Sequence, residues 1–195
     1  MNLRLFIAID IPESIRGEIA EIMELLKKYE TDVKWVVPEN IHLTLKFLGS
    51  TSLSLLESVR DALLPVVSMY TPFHIHIQGT GMFPSEKNPR VIWIGIADSE
   101  PLHALRNDIE RALQPLGITP EEKEFHPHLT IGRVRERRGL ITLMNELRHF
   151  RDRDFGDCFV DKVKLMKSDL KPRGPEYTCL YPISLAGSGC LTIRH

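Results

Sequence analysis

The sequence predicts an α+β protein with two pseudo-symmetric lobes, each an antiparallel sheet with outer helices, and an active-site cleft between them. The first observation is that the tripeptide His-Leu-Thr occurs twice, at 42–44 and 128–130, each time within a strand-like run. The second is that each copy follows an apolar strand ending in Asp and then an amphipathic helix. Asp10 and Asp98 are 88 residues apart, and His42 and His128 are 86 apart. We interpret this as an internal duplication, with repeats over about 1–88 and 89–185 of a single bilobed domain, 1–195.

The elements of the first repeat follow from apolar spacing and turn residues. We predict a strand over 4–10, a helix over 12–29, and strands over 33–37 and 41–48. The small polar residues at 49–52 predict a turn and the start of a helix over 53–69. Strict alternation over 73–77 predicts a half-buried strand, and the Gly- and Pro-rich segment 79–89 predicts a loop.

The second repeat follows the same scheme. We predict a strand over 90–97, a helix over 100–116, a strand over 127–134, a helix over 139–149 and a strand over 158–168. The tail at 177–185 predicts one further strand. Asp10 and Asp98, which end corresponding strands, are interpreted as helix-start residues.

Composition restricts the class of protein. At 195 residues and 43% apolar content the chain can bury a core, and no apolar run approaches the ~20 residues that span a bilayer. Three cysteines without a Cys-x-x-Cys pair argue against a disulfide framework and a structural zinc site. We expect a cytoplasmic monomer without a cofactor or bound metal. The net charge of −1 does not indicate a binder of long nucleic acid, but the basic excess over 133–173 suits a phosphate-bearing chain end.

The repeated tripeptide carries the chemistry. Residues i and i+2 of a strand share a face, so each copy presents an imidazole beside a hydroxyl. One neutral histidine can accept a proton from water while the other, protonated, donates to a leaving oxygen, because the imidazole pKa is about 6.5. Two threonine hydroxyls can stabilise the charge that develops on phosphate oxygens. The residues therefore predict a phosphodiesterase with His42 and His128 as acid and base, and with Thr44 and Thr130 as phosphate ligands. The pattern alone leaves open which histidine is the acid.

Several neighbouring residues are weaker candidates. Arg133 has the opposite parity to His128, but at the end of a strand its long side chain can turn back toward a phosphate, so we include it as a phosphate-binding residue. Strict alternation puts Lys46 on the face of His42 and Phe47 on the core face. His74 and His76 share a strand face but are interpreted as solvent-facing because no third metal ligand is evident, and His126 as merely flanking His128.

The segments IHLTLKFLG (41–49) and FHPHLTIGRV (125–134) resemble the paired motifs of the 2H phosphoesterase superfamily. The segments LFIAID (5–10), GMFP (81–84) and RVIW (90–93), with the ending around 177–178, are similar to its bacterial and archaeal 2′-5′ RNA ligase-like group, the RNA 2′,3′-cyclic phosphodiesterases. This resemblance implies a metal-independent, two-lobed α+β enzyme that hydrolyses RNA 2′,3′-cyclic phosphate ends, those of tRNA fragments among them, to 2′-phosphomonoesters. It implies that His42 is the proton donor to the 3′ oxygen and His128 the proton acceptor that activates water. It also implies that Thr44 and Thr130 hold the phosphate, and that the reverse path can join RNA ends through a 2′-5′ linkage.

Three other interpretations stay open. The substrate can be a different cyclic or 2′-5′ nucleotide, or the chain can be a non-catalytic module that binds RNA ends. The presence of both histidines and both threonines argues against pure binding, which needs no matched acid and base. The third interpretation is a histidine-based metal site, in which case chelators would abolish the activity.

Overall fold

The computed structural model describes residues 1–172 and 174–187. In this part of the chain, nine strands and four α-helices alternate with three short 3₁₀ turns, which confirms the α+β class. The elements are β1 (Asn2–Asp10), α1 (Glu13–Leu26), β2 (Val33–Trp35), β3 (His42–Ser52), α2 (Leu56–Val67), β4 (Phe73–Phe83), β5 (Val91–Ile96), α3 (Glu100–Leu113), β6 (His128–Val134), α4 (Leu140–Arg148), β7 (Asp154–Val160), β8 (Lys162–Lys171) and β9 (Gly174–Ser184).

The strands form one sheet in the order β7-β4-β5-β6-β3-β1-β8-β9, and β2 pairs with β6 beside this path. Every pairing is antiparallel. The two halves of the sheet meet where β3 pairs with β6 through Leu43 and Leu129. Each half contains strands from both predicted repeats, because β4 pairs with β5 and β7 whereas β8 and β9 return to β1. The duplication with a boundary near residue 88 therefore stays a prediction, and that boundary does not separate the halves of the sheet.

The two helices of each predicted repeat also pack on different halves of the sheet. Helices α1 and α4 pack against β7 and β4, whereas α2 and α3 pack against β8, β9 and β3. Amphipathic spacing explains this packing: α1 buries Ile15, Ile19, Ile22, Met23 and Leu26. Burial of each such side chain contributes roughly 1.5–3 kcal/mol, so α1 holds β7 firmly in the first half of the sheet.

Long-range pairing overrides three of the sequence predictions. The predicted strand over 158–168 is two strands, β7 and β8, separated at Asp161. The predicted turn at 49–52 continues β3, because these residues pair with the start of β1. The predicted loop at 79–89 begins later, since β4 extends to Phe83 through Gly81. Gly81 is required there, because a Cβ would lie 2.2 Å from Cζ2 of the Trp93 ring.

In the described ranges, no helix is both long enough and apolar enough to cross a membrane. Of the three cysteines, Cys158 is buried and Cys179 is exposed. Cys190 lies outside the described residues. Within residues 1–172 and 174–187, no three His, Cys, Asp or Glu side chains are grouped so that they could hold a metal ion.

Candidate active site

The two His-Leu-Thr motifs lie side by side at the junction of the sheet. Leu43 pairs with Leu129, and both side chains are fully buried, so the flanking histidines and threonines project from the opposite face. The antiparallel register that follows from this pair puts His42 across from Thr130 and Thr44 across from His128. The structure thus brings together the four residues that the repetition singled out.

Matching hydrogen bonds orient the two imidazoles. Nδ1 of His42 lies 2.7 Å from the carbonyl oxygen of Asn40, and Nδ1 of His128 lies 2.7 Å from that of His126. A carbonyl oxygen only accepts, so each Nδ1 carries the hydrogen. Each Nε2 is then left to exchange a proton with a ligand, which is the arrangement that general acid–base catalysis needs. His126, predicted only to flank His128, supplies one of these orienting carbonyls.

Aromatic rings fix the planes of the imidazoles. Phe6 stacks on His42 with ring centroids 4.9 Å apart, and Tyr177 meets the same imidazole edge-on at 5.2 Å. On the other side of the junction, Phe83 meets His128 edge-on at 4.9 Å. Both histidines are half-buried, so each keeps an accessible edge.

Burial and nearby charges shift the pKa values of the two imidazoles. Burial lowers the pKa of both histidines below the usual value, and the hydrogen bonds to backbone carbonyls oppose this shift. The charges differ between the two sites. Asp10, which pairs with His42 across β1 and β3, raises the pKa of His42, whereas Arg133 and His126 lower the pKa of His128. The protonated form is therefore better supported by its neighbours at His42 than at His128.

A β-bulge follows each motif at the same distance. In the pairing of β3 with β1 the register skips Leu45, and in the pairing of β6 with β5 it skips Ile131, in each case three residues after the histidine. An extra residue reverses the alternation of faces beyond it. The prediction that strict alternation made for Lys46 and Phe47 is therefore wrong: Lys46 is 1% exposed and Phe47 is 55% exposed.

The second bulge determines where Arg133 points. Without it, Arg133 would face away from His128; with Ile131 skipped, Arg133 shares the face of His128 and is exposed. Its charge acts on His128 and also on Tyr177, which contacts His42 from the other half. The register thus gives a physical reason for counting Arg133 among the phosphate-binding candidates. The sequence offered only the length of its side chain.

Sequence patterns missed several residues of the site. Phe6, Phe83 and Tyr177 come from distant strands; each lies in a segment that resembles the family group, but no pattern assigned any of them a role beside a histidine. Asp10, interpreted as a helix-start residue, instead forms an ion pair with Lys164 beside His42, and its position in the register was the signal that could have identified it.

The histidine pair on β4 lies away from the junction. His76 is 2.8 Å from Asp157 of β7 through Nδ1, and His74 packs on Phe159. Because β7 and β4 lie at the far edge of the sheet, these residues are not part of the site.

Residues 11–172 match the family model described as the 2′-5′ RNA ligase superfamily. The chain belongs to this superfamily. The family resemblance inferred from the two motifs is confirmed, and the superfamily match covers both of them.

Relatives of this superfamily member span nearly its whole length. A Methanocaldococcus jannaschii protein named RNA 2′,3′-cyclic phosphodiesterase is 39% identical over 175 residues, covering 90% of this chain and 96% of the relative. One of the same name from Methanothermobacter thermautotrophicus is 36% identical over 181 residues, covering 91% and 96%. The crystal structure of TT0787 of Thermus thermophilus superposes with a TM-score of 0.76 at 30% identity, covering 94% of this chain and 98% of that one. The fold also matches E. coli LigT complexed with 3′-AMP, with a TM-score of 0.77 at 24% identity, covering 95% and 99%.

Proposed function

We propose that this superfamily member hydrolyses RNA 2′,3′-cyclic phosphodiester ends to 2′-phosphomonoesters without a metal ion. The observation that carries the proposal is the matched pair of imidazoles, each with Nδ1 bound to a backbone carbonyl and Nε2 free on one face. Relatives of 31–39% identity that bear the name RNA 2′,3′-cyclic phosphodiesterase support the substrate class.

In the proposed reaction, Nε2 of neutral His128 takes a proton from water as the water attacks phosphorus. The bond from phosphorus to the 3′ oxygen breaks, and Nε2 of protonated His42 gives that oxygen its proton. The neighbouring charges support this assignment, because Asp10 favours the protonated form of His42 and Arg133 favours the neutral form of His128. Each proton transfer contributes typically 10²–10⁴-fold to the rate.

The hydroxyls of Thr44 and Thr130 donate hydrogen bonds to the non-bridging phosphate oxygens, and Arg133 adds a positive charge. Such donors act most strongly on the charge that develops in the transition state. If the 5′-hydroxyl of an RNA strand replaces water, the same acid and base, with roles unchanged, form a 2′-5′ linkage and need no nucleoside triphosphate.

Short RNA ending in a 2′,3′-cyclic phosphate, incubated in EDTA with wild type, His42→Ala, His128→Ala and the control His103→Ala, tests the proposal. We expect a 2′-phosphate product, a loss of about 10²-fold or more in each motif variant, and no loss in the control. His103 suits as a control because it contacts Asp98 and Phe125 instead of the motif residues. A 3′-phosphate product would contradict the assigned leaving group, and absence of turnover by wild type would refute the proposal.

Asp10→Asn tests which histidine is the acid. Loss of the carboxylate, together with the freed charge of Lys164, lowers the pKa of His42. Because the acid must be protonated, the alkaline limb of the kcat/KM profile should move to lower pH. A shift of the acidic limb instead would mean that the two histidines have the opposite roles.

A further inference from the structure

The residue two positions before each motif histidine holds that histidine through its backbone. The carbonyl oxygen of Asn40 accepts the Nδ1 hydrogen of His42, and that of His126 accepts the Nδ1 hydrogen of His128, both at an N–O distance of 2.7 Å. A backbone oxygen orients an imidazole only as well as its own peptide is fixed. The contacts that fix the peptides of Asn40 and His126 therefore determine how precisely the two imidazoles are held.

The side chain of Asn40 is bound to a distant strand. Its amide Nδ2 donates a hydrogen bond of 2.9 Å to the carbonyl oxygen of Pro175 in β9. In the sheet, β9 is separated from β3 by β1 and β8, so strand pairing does not join it to the first motif. The bond joins residues 135 positions apart in the chain and is partly buried. It fixes the turn before His42 against β9.

The same strand supplies a ring that packs against His42. Tyr177, two residues after Pro175, meets the imidazole edge-on, with ring centroids 5.2 Å apart and an angle of 86° between the planes. The Tyr177 ring also packs edge-on against Phe6 at 5.0 Å, and Phe6 stacks on His42. Asn40 thus connects the backbone acceptor of Nδ1 to the segment that carries this ring.

The second motif repeats the arrangement with different side chains. The ring of His126 packs on Phe83 with centroids 6.1 Å apart, and Phe83 meets His128 edge-on at 4.9 Å and 82°. In both motifs, the residue two before the histidine supplies the backbone acceptor, and its side chain contacts the segment that carries the edge-on ring. Because an amide and an imidazole make these contacts in two separate segments, the recurrence indicates a requirement of the site and not of one local turn.

From this recurrence we propose that Asn40 is a positioning residue for the acid of the reaction. Its amide holds the turn before His42 against β9, so that Nδ1 keeps its acceptor and Nε2 keeps its direction toward the leaving oxygen. The inference rests on the proposed function, in which His42 is that acid. Asn40 acts through His42 and needs no contact with the reacting atoms.

The test compares Asn40→Ala and Asn40→Leu with wild type. Both variants lack the amide donor, and leucine keeps a branched side chain of similar size, so an effect shared by the two reports the lost hydrogen bond and not lost volume. Asn2→Ala is the matched control, because Nδ2 of Asn2 also donates to β3, at Ser50, near the opposite end of the strand from His42.

The first measurement is the ¹⁵N NMR titration of the His42 ring in the free protein. We expect wild type and Asn2→Ala to show one tautomer, with the hydrogen on Nδ1, and both Asn40 variants to show a mixture. The pKa of His42 should fall in the Asn40 variants, because the hydrogen bond to the Asn40 carbonyl raises it, while the charge of Asp10 is unchanged.

The second measurement is hydrolysis of a 2′,3′-cyclic mononucleotide by the same proteins. In both Asn40 variants kcat should fall about tenfold with KM within about twofold of wild type, because the acid is misaligned while the phosphate ligands stay in place. The alkaline limb of kcat/KM should also move to lower pH, because the acid loses its proton at lower pH.

A single Nδ1–H tautomer with an unchanged pKa of His42 in both Asn40 variants would overturn the inference, whatever happens to the activity. An equal loss of kcat in Asn2→Ala would also overturn it. The titration needs no substrate and therefore separates the two proposals. Turnover by wild type with an Asn40-independent tautomer refutes only this inference, whereas an Asn40-dependent tautomer without turnover by wild type refutes the proposed function.

Discussion

Lys46 carries a charge that the fold has buried completely, and removing it should destabilise the protein strongly. Its side chain is 0% exposed, and that of its partner Glu110 is 7% exposed. Nζ lies 2.6 Å from Oε2 of Glu110 and 3.0 Å from the carbonyl oxygen of Thr119. In Lys46→Met the ammonium is lost while the carboxylate stays buried.

The remaining contacts of Glu110 determine the size of the effect. Removing one partner of a buried ion pair typically costs about 3–5 kcal/mol. Arg106, 2.9 Å from the other carboxylate oxygen, still compensates part of the charge, so we expect the low end, about 3 kcal/mol. For a chain of this size that loss lowers Tm by roughly 6–12 °C.

Equilibrium unfolding in urea at neutral pH, with thermal melts, measures this loss. Lys28→Met, at an exposed site, should stay within about 0.5 kcal/mol of wild type. The double variant Lys46→Met/Glu110→Gln should recover part of the loss, because it no longer buries a carboxylate short of a cation, its amide oxygen can still accept from Arg106, and Glu121 faces Arg106 at 3.7 Å. A loss below about 1 kcal/mol for Lys46→Met, or a double variant no more stable than the single one, would refute the reasoning.

Three further outcomes follow from the site and the packing around it. Gly81→Ala should lose about 1–3 kcal/mol in unfolding experiments, because its Cβ would overlap the Trp93 ring, whereas Gly17→Ala, with nothing within 4 Å, should gain up to about 1 kcal/mol. A gain at both positions would contradict this packing. Arg133→Gln should move the acidic limb of the kcat/KM profile to higher pH, because the lost charge holds the pKa of His128 down; an unmoved limb would exclude that influence. A nucleoside 2′-monophosphate at 100 times its Kd should raise the free energy of unfolding by about 2.7 kcal/mol. EDTA should leave this stabilisation intact, and removal of both motif threonine hydroxyls should diminish it.

The core of the site could be predicted from the sequence because repetition carries information that a single motif lacks. A period of two residues suffices to put an imidazole and a hydroxyl on one face of each strand. The α+β class followed from the alternation of strand-like and helical spacing. Both inferences use only short windows of the chain, where local geometry decides the outcome.

The rest depended on which strands become neighbours. A bulge exists only relative to a partner strand, so no window around Leu45 or Ile131 could indicate that alternation reverses there. For the same reason Lys46 was not predicted to be buried and Phe47 was not predicted to be exposed. Phe6 contacts His42 because β1 pairs with β3, and Tyr177 contacts His42 from β9, which lies beyond β8 in the sheet, a relation that spans most of the chain.

The pairing of β8 with β1 also determines the order in which the sheet can form during synthesis. Ala8 in β1 pairs with Lys164 in β8, which leaves the ribosome only after β2 to β7 have been made. Tyr177, which contacts His42, follows later still. A nascent chain thus already carries both histidines before the Tyr177 ring that meets His42 edge-on exists. The surroundings of His42 are therefore completed only when β9 has been made, and a chain interrupted before β9 lacks the Tyr177 ring that meets this imidazole edge-on.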